Sequence, residues 1–180
     1  VAAELVLGAG MTWREADAEV AEAVDFMRFH AEQMLLRAHR PRRRGVPGED
    51  NVQQLAPRGV CVVFTDGGSP LASLAAAVSA ALVCGNPVLV SPPVQTAPPA
   101  AMLLKLLTEA GVPAGATGLL PILDESVAPH LARHSDVRLV VCHGSYSRCS
   151  TLRAAASEVR PGQRHARGFI GRGHTGGVII

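Results

Sequence analysis

Three glycine-bearing stretches hold the residue types most able to do chemistry. Thr65-Asp66-Gly67-Gly68-Ser69-Pro70 follows a short apolar run and precedes an alanine-rich one. Cys142-His143-Gly144-Ser145-Tyr146-Ser147-Arg148-Cys149 overlaps the end of a second apolar run. Gly171-Arg172-Gly173-His174-Thr175-Gly176-Gly177 is the third. A glycine turn between a strand and a helix offers free backbone amides and the positive end of a helix dipole, the chemistry of phosphate binding. Metal binding fits less well. Cys142, His143 and Cys149 are ligand types, but they form no paired Cys-x-x-Cys unit and no fourth ligand is evident. Gly171, Gly173, Gly176 and Gly177 with Arg172 could form an anion-binding nest, although a flexible chain end is the plainer reading. No spacing supports a Ser-His-Asp triad.

The elements around these stretches follow from apolar periodicity. Gly59 to Phe64 reads as a strand buried on both faces. Gly67 and Gly68 allow positive φ, Ser69 is a candidate cap, and Pro70 suits the first helical position. Leu71 to Val83 is apolar nearly all round and predicts a buried helix, stopped by Gly85-Asn86. Pro87 to Val90 is the next strand. Ala100 to Ala110 predicts an amphipathic helix with Met102, Leu103, Leu106 and Leu107 inward. Gly118 to Pro121 is a short strand, Glu125 to His134 a helix, and Val137 to Cys142 a strand. A helix from Ser145 or Ser147 to about Val159 and a strand from Arg167 to Gly171 complete the series. Strands alternating with helices predict an α/β fold, a Rossmann-like doubly wound parallel sheet with helices on both faces.

Ahead of the sheet, Val20, Val24, Met27, Ala31 and Met34 mark one face of a long helix from about Thr12 to Arg40. Thr12 and Glu15 form a capping box. Phe26, Phe29 and His30 read as helix-surface packing. The basic run Arg37 to Arg44 reads as a solvated linker, since no aromatic residue interleaves it to stack on bases. Gly45 to Pro57 is loop, with one edge strand at Val52 to Leu55.

The chain has 180 residues, 48% of them hydrophobic and 18% charged, enough for a sizeable core. Its formal charge of +2 is too small to argue for nucleic acid. No apolar run is long enough to span a bilayer. The four cysteines show no paired framework, which suits reduced thiols in the cytoplasm. The first residue is valine and the chain opens as if within a helix, so a piece of a longer protein is expected.

The stretch from Arg58 to Pro93 resembles the cofactor-domain core of the aldehyde dehydrogenase superfamily. That family has a strand, a Pro-Trp-Asn-Phe-Pro turn, an alanine-rich helix ending Ala-Gly-Asn, and a strand running into Lys-Pro-x-Glu. Pro70, Gly85-Asn86 and Pro92 stand in matching places. Further matches run from Trp13 to Phe26, then Pro47 to Asn51, Gln95-Thr96, Glu109 to Gly115, Gly144-Ser145, Pro161 to Gln163 and Thr175 to Gly177. They are most similar to the bacterial branch that oxidises 1-pyrroline-5-carboxylate, the cyclic form of glutamate semialdehyde.

The resemblance implies specific roles and shows several of them altered. Thr65, Asp66 and Gly67 would line the cofactor, NAD. Gly68 stands where the family has the asparagine amide that stabilises the oxyanion. Ser91 and Val94 replace the lysine and glutamate that grip the adenosine ribose. Gly144 and Ser145 keep the pyrophosphate turn, while Cys149 replaces its second glycine and is expected to crowd the backbone's approach to phosphate. His174 stands at the general-base position. No cysteine matches the family's nucleophile, which lies in a later, catalytic domain.

The expected organisation is a scaffold helix over 1–40, a linker over 41–57, and a cofactor-type domain over 58–180 that lacks the catalytic domain. The parent activity implied is NAD(P)-dependent oxidation of glutamate semialdehyde to glutamate, in proline or arginine catabolism. This chain is expected to be a fragment or degenerate copy, inactive alone, with NAD binding weak or lost. The alternative is a non-catalytic pseudo-dehydrogenase module that pairs with its own kind or with a related dehydrogenase subunit. Neither nucleic acid nor membrane is an expected partner.

Overall fold

The structure is a computed structural model describing residues 1–38, 42–43, 45–52, 54–158, 167–173 and 178–179. Two helices lead, α1 (Ala2–Ala9) and α2 (Trp13–Ala38). Short strands β1 (Arg42–Arg43) and β2 (Asn51–Val52) pair antiparallel. The linker therefore folds back on itself, around Gly48 at φ 96°, and its strand lies earlier than Val52 to Leu55.

The sheet proper holds β3 (Val60–Phe64), β4 (Val88–Ser91), β5 (Thr117–Leu119), β6 (Val137–Gly144), β7 (Gly168–Gly173) and β8 (Val178–Ile179). Its order is β5-β4-β3-β6-β7-β8; the first five strands are parallel and β8 is antiparallel. The helices are α3 (Ala72–Val83), α4 (Ala97–Glu109), α5 (Val127–Ala132) and α6 (Tyr146–Ser157), with a 3₁₀ turn at Val94–Thr96 before α4. The chain winds outward from β3 to β5, then returns to place β6 on the other side of β3. The direction of winding thus reverses between β3 and β6, and a crevice opens there beyond the strands' carboxyl ends.

Alternation along β3 explains the two-sided core. Cys61 and Val63 join a cluster built with α1, α2, α3 and α4, while Val62 and Phe64 join one built with α5 and α6. The sheet is doubly wound, as its apolar runs predict.

Several boundaries differ from expectation. Helix α3 starts at Ala72, two residues after Pro70. Ser69 does not cap it in the usual way; its Oγ accepts from Ser73 N at 3.2 Å within a turn. The amides of Leu71 and Ala72, both buried residues, instead donate to Glu19 Oε2 of α2, at 3.1 and 2.8 Å. The inner face of α2 is accordingly centred on Ala16, Glu19 and Ala23, and Ala31 is exposed. His30 also does more than pack: its Nδ1 lies 2.8 Å from Ser79 Oγ on α3. The Thr12–Glu15 capping box is present, with Thr12 N donating to Glu15 Oε2 and Glu15 N to Thr12 Oγ1. On α4 the inward residues are Ala100, Leu103 and Leu104, and Leu106 is 44% exposed. That helix packs on both α1 and β5, which turns its face by one position. Helix α5 is shorter than Glu125 to His134, because Asp124 accepts from Ser126 N and Oγ and holds the entrance as a turn. Gly171 and Gly173 are paired strand residues of β7, while Gly176 and Gly177 lie outside the described residues.

Candidate functional site

The carboxyl ends of β3 and β6 lie side by side, with Phe64 in register with Cys142. The loop after β3 and the turn after β6 therefore face each other across the crevice. Gly144 ends β6, and Ser145 caps α6, its Oγ accepting from Arg148 N at 3.3 Å. A Cβ on Gly144 would lie 3.1 Å from Asp66 Oδ2, so a side chain there would push the Asp66 carboxylate back by a few tenths of an ångström. Asp66 Oδ1 in turn accepts from Gly68 N at 3.1 Å and shapes the first loop. Neither Gly67 nor Gly68 uses the positive φ that the sequence allows, and both are exposed.

Arg148 is the residue that joins these loops. Its Nη1 donates to the Thr65 carbonyl at 2.5 Å and its Nε to Glu125 Oε2 at 3.1 Å. It thereby ties the β3–α3 loop, the β6–α6 turn and the approach to α5 at one point. Arg148 Nη2 and the fully buried Thr65 Oγ1 have no hydrogen-bond partner among the described residues. Beside Arg148 a cleft of about 300 Å³ runs between α5 and α6, lined by Ala128, Pro129, Ser145, Ser147, Thr151 and Leu152 among others. Amides and a hydroxyl at its mouth with apolar walls behind would accept a phosphate carrying a flat ring.

The other sequence-predicted positions scatter. Ser91 is fully buried, and its Oγ donates to the Leu120 carbonyl at 2.8 Å, so its hydroxyl bridges the sheet to the β5–α5 loop rather than facing a ligand. Val94 is 41% exposed on the 3₁₀ turn and offers no polar atom. Cys149 does not crowd the turn from outside. It is fully buried, with Sγ 2.9 Å from Cys142 Sγ and 3.9 Å from the Gly144 carbonyl oxygen. The turn is wrapped over the thiol, because α6 directs that side chain down onto β6. His174, with Thr175 to Gly177, lies outside the described residues, as does Pro161 to Gln163.

Burial governs the thiols. It pushes Cys61 up to about 12. Burial first, then the hydrogen bond and charge of Cys149, also push the Cys142 thiol up. Cys84 is exposed, but it ends α3 and lies at the amino edge of the sheet, away from the crevice.

Sequence reasoning missed Arg148 and Glu125. They stand 23 positions apart, and Arg148 occupies a variable place in its motif, so no spacing signal marks them.

Comparison with known proteins agrees with this architecture. The model of the Aldehyde dehydrogenase family matches residues 1–163. The chain is 35% identical over 166 residues to 1-pyrroline-5-carboxylate dehydrogenase 2 of Halalkalibacterium halodurans, covering 92% of this chain and 32% of that protein. It is 38% identical over 159 residues to the 1-pyrroline-5-carboxylate dehydrogenase of Geobacillus thermodenitrificans, covering 88% and 31%. Among solved structures, proline utilization A of Bdellovibrio bacteriovorus, inactivated by N-propargylglycine, superposes with a TM-score of 0.90 at 35% identity, over 96% of this chain and 18% of that one. A 1-pyrroline-5-carboxylate dehydrogenase from Thermus with bound NAD gives 0.89 at 29% identity, over 96% and 34%. The chain thus spans about a third of the length of the curated relatives it matches. Among the described residues no helix is long and apolar enough to cross a membrane. The chain belongs to the aldehyde dehydrogenase family.

Proposed function

We propose that this chain is the dinucleotide-binding part of an enzyme of the 1-pyrroline-5-carboxylate dehydrogenase type, reduced to weak cofactor binding and without turnover of its own. The observation that carries the reading is the Gly144–Ser145 turn, capped onto α6 and open to the α5–α6 cleft. Backbone amides at that helix N-terminus would hold the pyrophosphate, and Ala128, Pro129, Thr151 and Leu152 would flank the adenosine. When bound, NAD supplies the acceptor for a hydride. The parent reaction is oxidation of glutamate semialdehyde to glutamate. This chain's share of it is to hold and orient the nucleotide.

The fit is partial. The phosphate side is intact, but the ribose side is not. Ser91 is engaged with Leu120, and Val94 has nothing to accept a hydroxyl. Two lost ribose contacts, at about 1 kcal/mol each, weaken binding by about thirtyfold. Calorimetric titration with NAD is therefore expected to show no saturation in the micromolar range. Val94→Glu, on the exposed 3₁₀ turn, is expected to strengthen binding severalfold. Ser91→Lys must first break the Leu120 bond and is expected to cost stability. Micromolar affinity in the unaltered chain would show that the ribose side is compensated and would overturn the weak-binding reading. No binding even with Val94→Glu, at millimolar NAD, would overturn the nucleotide site itself.

A second reading, a non-catalytic module that pairs with its own kind or with a related dehydrogenase subunit, is favoured by one feature. An apolar groove of about 500 Å³ lies between α2, α3 and the sheet, walled by Phe26, Ala80, Leu139, Val141 and Ile170 among others. Light scattering at micromolar concentration separates the readings, since a stable dimer supports the module and a clean monomer removes it.

A further inference from the structure

Two cysteines that flank the β6–α6 turn meet in space. Cys142, near the end of β6, and Cys149, in the first turns of α6, place their sulfurs 2.9 Å apart, and both residues are fully buried. A disulfide has its sulfurs about 2.05 Å apart, so closure by less than about 1 Å would join them. We propose that Cys142 and Cys149 form an oxidisable dithiol whose disulfide, made by a small peroxide, locks the turn that carries Gly144 and Ser145.

The other cysteines do not compete for this pairing. Cys61 belongs to the core cluster on the opposite face of the sheet. Cys84 is exposed at the far end of α3. The pair is enclosed by the turn's own backbone, with Cys149 Sγ 3.6 Å from the Cys142 carbonyl oxygen. Access therefore depends on opening of the turn. The turn is held by the Ser145 cap and by Arg148, whose partner Glu125 is 63% exposed and easily solvated. A peroxide is small enough to use such an opening, and a bulky disulfide reagent is not.

The chemistry balances with the peroxide as oxidant. The Cys149 thiolate attacks one peroxide oxygen and the O–O bond breaks. Cys149 becomes a sulfenic acid, and the leaving hydroxide takes up the released proton as water. The Cys142 sulfur then attacks the Cys149 sulfur. The S–O bond breaks, and the departing hydroxide leaves as a second water with the Cys142 proton. Two thiols lose two electrons and two protons, and one peroxide becomes two waters. The resulting ring contains His143 to Arg148 and so fixes the amides that would otherwise adjust to a phosphate. The crosslink stands whether or not a nucleotide binds.

Trypsin makes the test direct. Cleavage after Arg138, Arg148 and Arg153 places the two cysteines in separate peptides, 139–148 and 149–153. The folded chain is treated with hydrogen peroxide, its remaining thiols are alkylated in denaturant, and the digest is read by mass spectrometry without reductant. The expected result is one species lighter by two hydrogens than the summed peptides, which separates on reduction, while Cys61 is alkylated. Cys149→Ser is expected to abolish it and leave Cys142 alkylated. The proposal is overturned if the two peptides remain separate at a peroxide dose that fully oxidises Cys84. It is also overturned if Cys149 joins Cys84 as often as Cys142. Amide hydrogen exchange over 143–150 is expected to slow in the oxidised chain, and unchanged exchange would overturn the locking of the turn.

Discussion

Arg148 concentrates more of the site's geometry than any other side chain. It is 14% exposed and donates to a backbone carbonyl and a carboxylate from two different loops. Hydrogen bonds from a charged donor contribute about 1.5–3 kcal/mol each when the partner is withdrawn from water. The Thr65 carbonyl meets that condition and Glu125 does not. Arg148→Met is therefore expected to lower stability by about 2 kcal/mol in urea denaturation, and Glu125→Gln by under about 1 kcal/mol. Equal losses would mean that the exposed ion pair, not the carbonyl contact, holds the loops. His30 carries a second residue-scale effect. Burial lowers its pKa from the ordinary value of 6.5. A histidine depressed in the folded state binds fewer protons than when unfolded, so its contribution is whole above 6.5 and is lost as pH falls below it. The NMR titration of His30 is expected to have its midpoint below that of an unfolded reference peptide, and the α2–α3 contact through Ser79 to loosen from there downward. A midpoint above the reference would reverse the sign.

At the scale of elements, Asn86 decides where α3 ends and β3 begins. Its Oδ1 accepts from Arg58 N at 2.7 Å and Gly59 N at 3.0 Å, and its Nδ2 donates to the Ala81 carbonyl at 3.3 Å. Gly85, at φ 78°, makes the reversal that brings it there. Asn86→Ala strands the amides of Arg58 and Gly59 near the amino edge of the sheet, while the Ala81 carbonyl keeps its bond from the backbone amide of residue 86 at 3.0 Å, and a loss of about 2 kcal/mol is expected by urea denaturation. A loss under about 0.5 kcal/mol would mean that water satisfies both stranded amides. The stop itself was legible in the sequence, since Gly-Asn after an apolar helix is a local signal; the clasp on Arg58 and Gly59 was not. The same divide runs through the molecule. Strands β3, β4 and β6 and helices α3 and α6 could be read because each is a local apolar pattern closed by a local breaker. The cap of α3 by Glu19 could not, because 52 positions separate the partners and nothing on α2 marks that glutamate. At the site, Gly144 and Ser145 were legible as a turn motif. The inward path of Cys149 and the reach of Arg148 depend on how α6 sits on β6, which only packing determines.

For the whole molecule, the decisive quantity is the distribution of thiols relative to the crevice. Oxidation of an aldehyde by this family's route begins with a thiolate at the reacting carbon. The crevice lies at the carboxyl edge, where β3 and β6 part. Cys84 is solvent-exposed but at the opposite edge. Cys61, Cys142 and Cys149 are fully buried, and burial pushes the first two away from the thiolate form. No cysteine of this chain is thus both reachable and near the place where a nicotinamide would lie. The purified chain, supplied with NAD and glutamate semialdehyde, is expected to form NADH no faster than a protein-free blank, at any pH from 6 to 9. The pH range matters because a merely protonated nucleophile would recover as pH rises, whereas a misplaced one would not. Adding Val94→Glu separates binding from chemistry, since it is expected to improve NAD affinity while turnover stays at the blank. Turnover above the blank that disappears on alkylation of Cys84 would overturn the argument, because it would mean that the exposed thiol reaches a nicotinamide across the sheet, within one chain or between two.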